Sequence, residues 1–174
     1  YVFLIGYCKA ISVAISKSSD LSDMIFLSDL LNETLTTEMD LHVKYCAEFD
    51  IEKKDLEKTK SSPTTTKYVN HMISSSESKG FLHSLVAILP CAWSYGEIAT
   101  YLSNSMSNRS ENKYIKWIDM YDSEEFKNSA KSIMEIIDEK TINLPEVQKK
   151  DLKATFYKSS EYEYDFWNAA WKME

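Results

Sequence analysis

Three side chains with useful chemistry lie where the surrounding pattern argues for burial: the thiol of Cys91, the phenol of Tyr95 and the carboxylate of Glu163. Cys91 directly follows Pro90 inside ILPCAWSYGEI, residues 88–98, a run that otherwise reads as buried helix. A proline within a helix removes its own N–H and leaves the carbonyl four residues back, here Val86, without its partner, at a cost of about 3 kcal/mol. The kink expected there opens a gap to neighbouring helices. Cys91, Tyr95, Ile98 and Leu102 follow at helical spacings, so thiol and phenol share a face.

A second unusual stretch, SSEYEYDFWNAAW at 159–171, alternates Glu161, Glu163 and Asp165 with aromatic residues. Helical spacing aligns Phe156, Ser159 or Ser160, Glu163, Trp167 and Ala170, which makes Glu163 the carboxylate placed for burial. Loss of water around it raises its pKa toward working pH. A thiol and a carboxylic acid buried together form a nucleophile and proton-donor set. The same residues also allow a plainer reading, with Cys91 a small core residue and Glu163 the hydrogen-bond partner of a tyrosine.

The elements that must position these groups read as helices. The chain has 174 residues, 44% hydrophobic, with only three Gly and three Pro, too few turn formers for a many-stranded β architecture. One all-α domain over residues 1–174 is expected. Helices are expected over 2–16, over a long amphipathic stretch from Asp20 to Phe49, from Thr65 to Ser76, over 80–106, over 124–140 and from Pro145 to Trp171. Asp122 with Glu125 suggests a capping box for the helix at 124–140. IEKKDLEKTKSSPTTT is the clearest loop, and its lysines read as solvated surface.

The charge of −7 is spread along the chain, and no basic run interleaves with aromatics, so nucleic acid is not an expected partner. The apolar runs near 2–16 and 81–93 are interrupted and fall short of the ~20 residues of a membrane span. No membrane association is therefore expected. Cys8, Cys46 and Cys91 form neither a CxxC pair nor an even-numbered disulfide framework, which fits a reducing, cytoplasmic setting. The chain starts at Tyr1 inside an apolar helical pattern with no capping residue, so an N-terminal helix is expected to precede it.

Six segments, FLIGYCKA, TTEMDLHVKYCAEF, SPTTTKYVNHM, LVAILPCAWSYGEI, YIKWIDMYDSEEF and YKSSEYEYDFW, together resemble the TenA family, also called thiaminase II or aminopyrimidine aminohydrolase, in order and spacing. The resemblance implies a haem-oxygenase-like helical bundle. It implies Cys91 as nucleophile, Glu163 as acid, and Tyr68, Tyr95 and Tyr121 as pocket residues that stack on or bond to a pyrimidine. Phe3 stands where several members carry a tyrosine, and a pyrimidine-binding aspartate of the family would fall before Tyr1.

The implied reaction is hydrolysis of 4-amino-5-aminomethyl-2-methylpyrimidine to the 5-hydroxymethyl compound with release of ammonia, with thiamin as an alternative substrate. No metal or other cofactor is called for, and the family resemblance implies a homotetramer. His42, His71 and His83 lack the Glu-x-x-His spacing of a di-metal bundle site, the positions three before them being Met39, Tyr68 and Gly80. His42 and His71 read instead as polar bundle positions. A different class of function would be a non-catalytic pyrimidine-binding or regulatory module, or the fused domain of a larger thiamin-pathway enzyme.

Overall fold

The computed structural model describes residues 1–173, and its elements among them are helical. The helices are α1 (Val2–Lys17), α2 (Leu21–Glu33), α3 (Met39–Ala47), α4 (Lys53–Leu56), α5 (Pro63–Lys79), α6 (Phe81–Ser105), α7 (Ile115–Tyr121), α8 (Glu124–Thr141) and α9 (Glu146–Lys172). A π-helical turn at Thr34–Glu38 joins α2 to α3, and a short 3-10 turn, Arg109–Glu111, precedes α7. The stretch expected as one helix from Asp20 to Phe49 is thus divided by a wide turn. Such turns recur at functional sites.

Local sequence sets several boundaries. Ser62 caps α5 by accepting from the Thr65 N–H at 3.1 Å, with Pro63 in the first turn where its missing N–H costs nothing. Helix α5 therefore begins earlier than expected. Gly80, at φ +88°, makes the break to α6 with a backbone that side chains disfavour. The cap of α8 is Ser123, which accepts from the Phe126 N–H at 3.2 Å. Asp122, expected in that role, instead accepts from the Thr100 hydroxyl at 2.6 Å and pairs with Lys127 at 3.1 Å.

Helix α6 is the central element, packed by α1, α5, α7, α8 and α9. It runs unbroken through Pro90, and every residue from His83 to Ala92 is buried. Among the described residues it is the one helix long and apolar enough to cross a membrane, but more than half of its most apolar window is buried in the bundle. Ile11, Leu27, Met72, Leu85, Ile88 and Ile133 are fully buried around it and form the core. Helices α1 and α5 approach closely at Gly6, where an added Cβ would come within 2.3 Å of Val69 Cγ2. These contacts fix α1, α6 and α9, the helices that carry Phe3, Cys91 and Glu163.

Candidate active site

A cavity of about 510 Å³ opens beside the middle of α6, lined by Cys91, Tyr95, Phe3, Tyr121, Trp117 and Trp167 among others. Aromatic rings make most of its wall. Tyr95 lies 5.0 Å from Tyr121, 5.3 Å from Trp167 and 5.7 Å from Trp117 between ring centroids. Such a wall, carrying a few hydroxyls, suits a flat heteroaromatic ligand.

Tyr68 and Glu163, both placed in the pocket by sequence, are not among its lining residues. They stand beside it: the ring of Phe3 lines the cavity and packs 5.0 Å from the Tyr68 ring. Tyr68 donates its hydroxyl to Glu163 Oε2 at 2.8 Å. Glu163 is 5% exposed, and its other oxygen, Oε1, is buried with no hydrogen-bond partner among the described residues. The burial stripe of α9 runs Leu152, Thr155, Ser159 and Glu163, so Ser159 rather than Ser160 faces inward.

Burial raises the Glu163 carboxyl from 4.5 to about 7, against the lowering effect of the Tyr68 hydrogen bond. The Cys91 thiol is pushed well above its usual value, first by burial and then by the negative charges of Glu163 and Glu38. Without ligand the sulfur therefore keeps its proton, and its nucleophilicity requires a nearby proton acceptor. Tyr68, Tyr95 and Tyr121 are likewise pushed well up by burial, so their hydroxyls remain donors.

Sequence reasoning did not place Trp117 or Trp167 on the wall, nor the ionisable pair Glu38 and His42. Tyr121 donates to Glu38 Oε1 at 2.5 Å and lies 3.1 Å from His42 Nε2, and both Glu38 and His42 line the cavity. With the Tyr121 proton directed at the carboxylate, His42 must donate through Nε2. Burial lowers the His42 pKa to about 4, so the ring is neutral at pH 7. Glu38 shifts upward, burial outweighing the opposing effect of Tyr121. His42, expected as an ordinary polar position, thus belongs to the cavity wall. His71, by contrast, lies outside that wall and contacts Ser159 at 3.0 Å.

Residues 1–173 match the model of the TENA/THI-4/PQQC family. The chain belongs to that family. It is 33% identical over 171 residues to an aminopyrimidine aminohydrolase of Halalkalibacterium halodurans, covering 98% of this chain and 76% of the relative. The corresponding protein of Bacillus subtilis is 30% identical, with 99% of this chain and 72% of the relative covered. A TenA family transcription regulator from a Silicibacter species superposes with a TM-score of 0.88 at 27% identity, over 97% of this chain and 76% of that one. The all-α, haem-oxygenase-like bundle expected from the family resemblance is the fold found. Among the described residues, no group of three or more His, Cys, Asp or Glu side chains is arranged to hold a metal ion.

Proposed function

We propose that this protein hydrolyses 4-amino-5-aminomethyl-2-methylpyrimidine to the 5-hydroxymethyl compound and ammonia, with Cys91 as nucleophile and Glu163 as its proton partner. The observation that carries this reading is a buried thiol on the wall of an aromatic cavity, within the electrostatic reach of a carboxyl group whose pKa is about 7. The names of the relatives add the substrate class. Thiamin, which carries the same aminopyrimidine ring, is the alternative substrate.

The chemistry needs both groups. An exocyclic amine leaves poorly until the electron-poor ring has accepted a nucleophile. As the sulfur bonds to a ring carbon, its proton passes to the Glu163 carboxylate and the ring takes up the electron pair. That pair then expels the amine, which receives the proton from Glu163 and departs as ammonia. Water adds to the exocyclic methylene, giving its hydroxyl to carbon and its proton to Glu163. Expulsion of sulfur and return of that proton restore the thiol and the carboxylate. Phe3, Tyr95 and Trp117 hold the ring flat, while Tyr121, oriented by Glu38 and His42, offers a polar edge.

Incubation with the aminomethylpyrimidine tests the reaction class: ammonia and the 5-hydroxymethyl product should appear in equal amounts. Tight binding without either product would instead assign the cavity to a binding or regulatory module.

A further inference from the structure

Cys91 and Glu38 border a second cavity as well as the first. It measures about 350 Å³ and is lined by Tyr7, Thr34, Ala92, Ser129 and Glu125, with Glu33, Thr37, Ser123 and apolar residues between. Its lining grades from the exposed Glu33, Thr37 and Glu125 inward to the buried Tyr7, Thr34 and Cys91. The π-helical turn supplies Thr34, Thr37 and Glu38 to it. The two cavities differ in kind: the first is a cage of aromatic rings, whereas the second presents three carboxylates and several hydroxyls, with no lysine or arginine among its described lining residues. A pyrimidine held flat in the aromatic cavity covers that side of the sulfur. Water must nevertheless arrive, and ammonia must depart, while the ring is still in place.

We propose that the second cavity is a passage for these small polar species, admitting water and conducting the ammonium ion outward along Glu38, Glu33 and Glu125. The direction of charge fits. A channel walled by carboxylates concentrates cations and excludes anions, and ammonia becomes a cation on taking a proton that the lining carboxyl groups relay inward from bulk solvent. This inference rests on the proposed hydrolysis for its cargo, but the passage itself is defined by access to Cys91.

Access can be read without turnover. In a Cys8→Ala, Cys46→Ala background, Cys91 is the remaining thiol of the chain. With the aromatic cavity filled by 4-amino-5-hydroxymethyl-2-methylpyrimidine, aminoethyl methanethiosulfonate, a cation, should modify Cys91 at least about ten-fold faster than the sulfonatoethyl anion. Thr37→Trp, at the exposed rim, should suppress that labelling, and Thr37→Lys should narrow the preference between the two reagents while leaving the opening unobstructed. In turnover, Thr37→Trp should lower kcat and leave KM for the aminopyrimidine within about two-fold, because binding is untouched and release is slowed.

Labelling that the pyrimidine alone abolishes, or that both Thr37 variants leave unchanged, would overturn the passage. Circular dichroism of the variants guards against misfolding, and calorimetric binding of the pyrimidine shows that the first cavity is filled. Absence of ammonia release, with the labelling pattern as expected, would overturn the hydrolase reading and the cargo while retaining the route to the thiol.

Discussion

Burial holds the Glu163 carboxyl at about 7 against an ordinary value of 4.5, so it changes charge within the neutral range. The folded protein therefore binds this proton more tightly than the unfolded chain. The resulting stabilisation is fully present below about pH 4.5 and is lost as pH rises through about 7. Denaturation midpoints of wild type measured relative to Glu163→Gln should decline across that window; a constant difference would contradict the assignment. Activity moves the opposite way. The cycle starts with the carboxylate ionised and the thiol protonated, so kcat/KM should rise through about pH 7, and Glu163→Gln should cost roughly 10²–10⁴-fold and lose that limb. Tyr68→Phe removes a hydrogen bond that lowers the carboxyl pKa, so the limb should shift to higher pH with the fold retained. A profile that stays in place would deny Tyr68 this influence on Glu163.

At the level of helices, α1 and α5 meet through a glycine that the contact requires. An alanine at Gly6 gains helix propensity but drives its methyl into Val69. Gly6→Ala should therefore destabilise by about 1–3 kcal/mol, and Gly6→Ala with Val69→Ala should recover most of the loss, as chemical denaturation would show. Most of the long helices were legible because their periodicity is local, but α4 falls in a stretch expected as loop and the π turn divides the helix expected from Asp20 to Phe49. Pro90-Cys91 and the Glu163 stripe announced themselves by conflict with their surroundings, a helix breaker and an acid each set among apolar residues. Glu38 and His42 gave no such signal: TTEMDLH reads as ordinary helix, and their place on the cavity depends on the π turn and on Tyr121, some eighty residues away. The choice of Ser123 over Asp122 as cap was also hidden, because Asp122 is engaged by Thr100 from the neighbouring helix α6, and by Lys127 within α8.

Across the whole molecule, aliphatic residues together with Phe3, Tyr7 and Tyr68 form the core around α6, while other aromatic side chains line the cavity or reach the surface. Trp171, Tyr164 and Tyr157 are strongly exposed on α9. Together with the tetramer implied by the family resemblance, they lead us to expect subunit packing along this helix, and light scattering should give a mass near four times that of the polypeptide measured. Trp171→Glu should lower that mass; a monomeric wild type would contradict the expectation. Both cavities meet at Cys91, which makes the central claim a claim about one sulfur atom. The decisive measurement is ammonia release from the aminomethylpyrimidine by wild type and Cys91→Ser in parallel, with pyrimidine binding followed by calorimetry. Turnover in wild type that falls at least about 10³-fold in the variant, with binding preserved, is the predicted result. A Cys91→Ser protein that releases ammonia at the wild-type rate would contradict it.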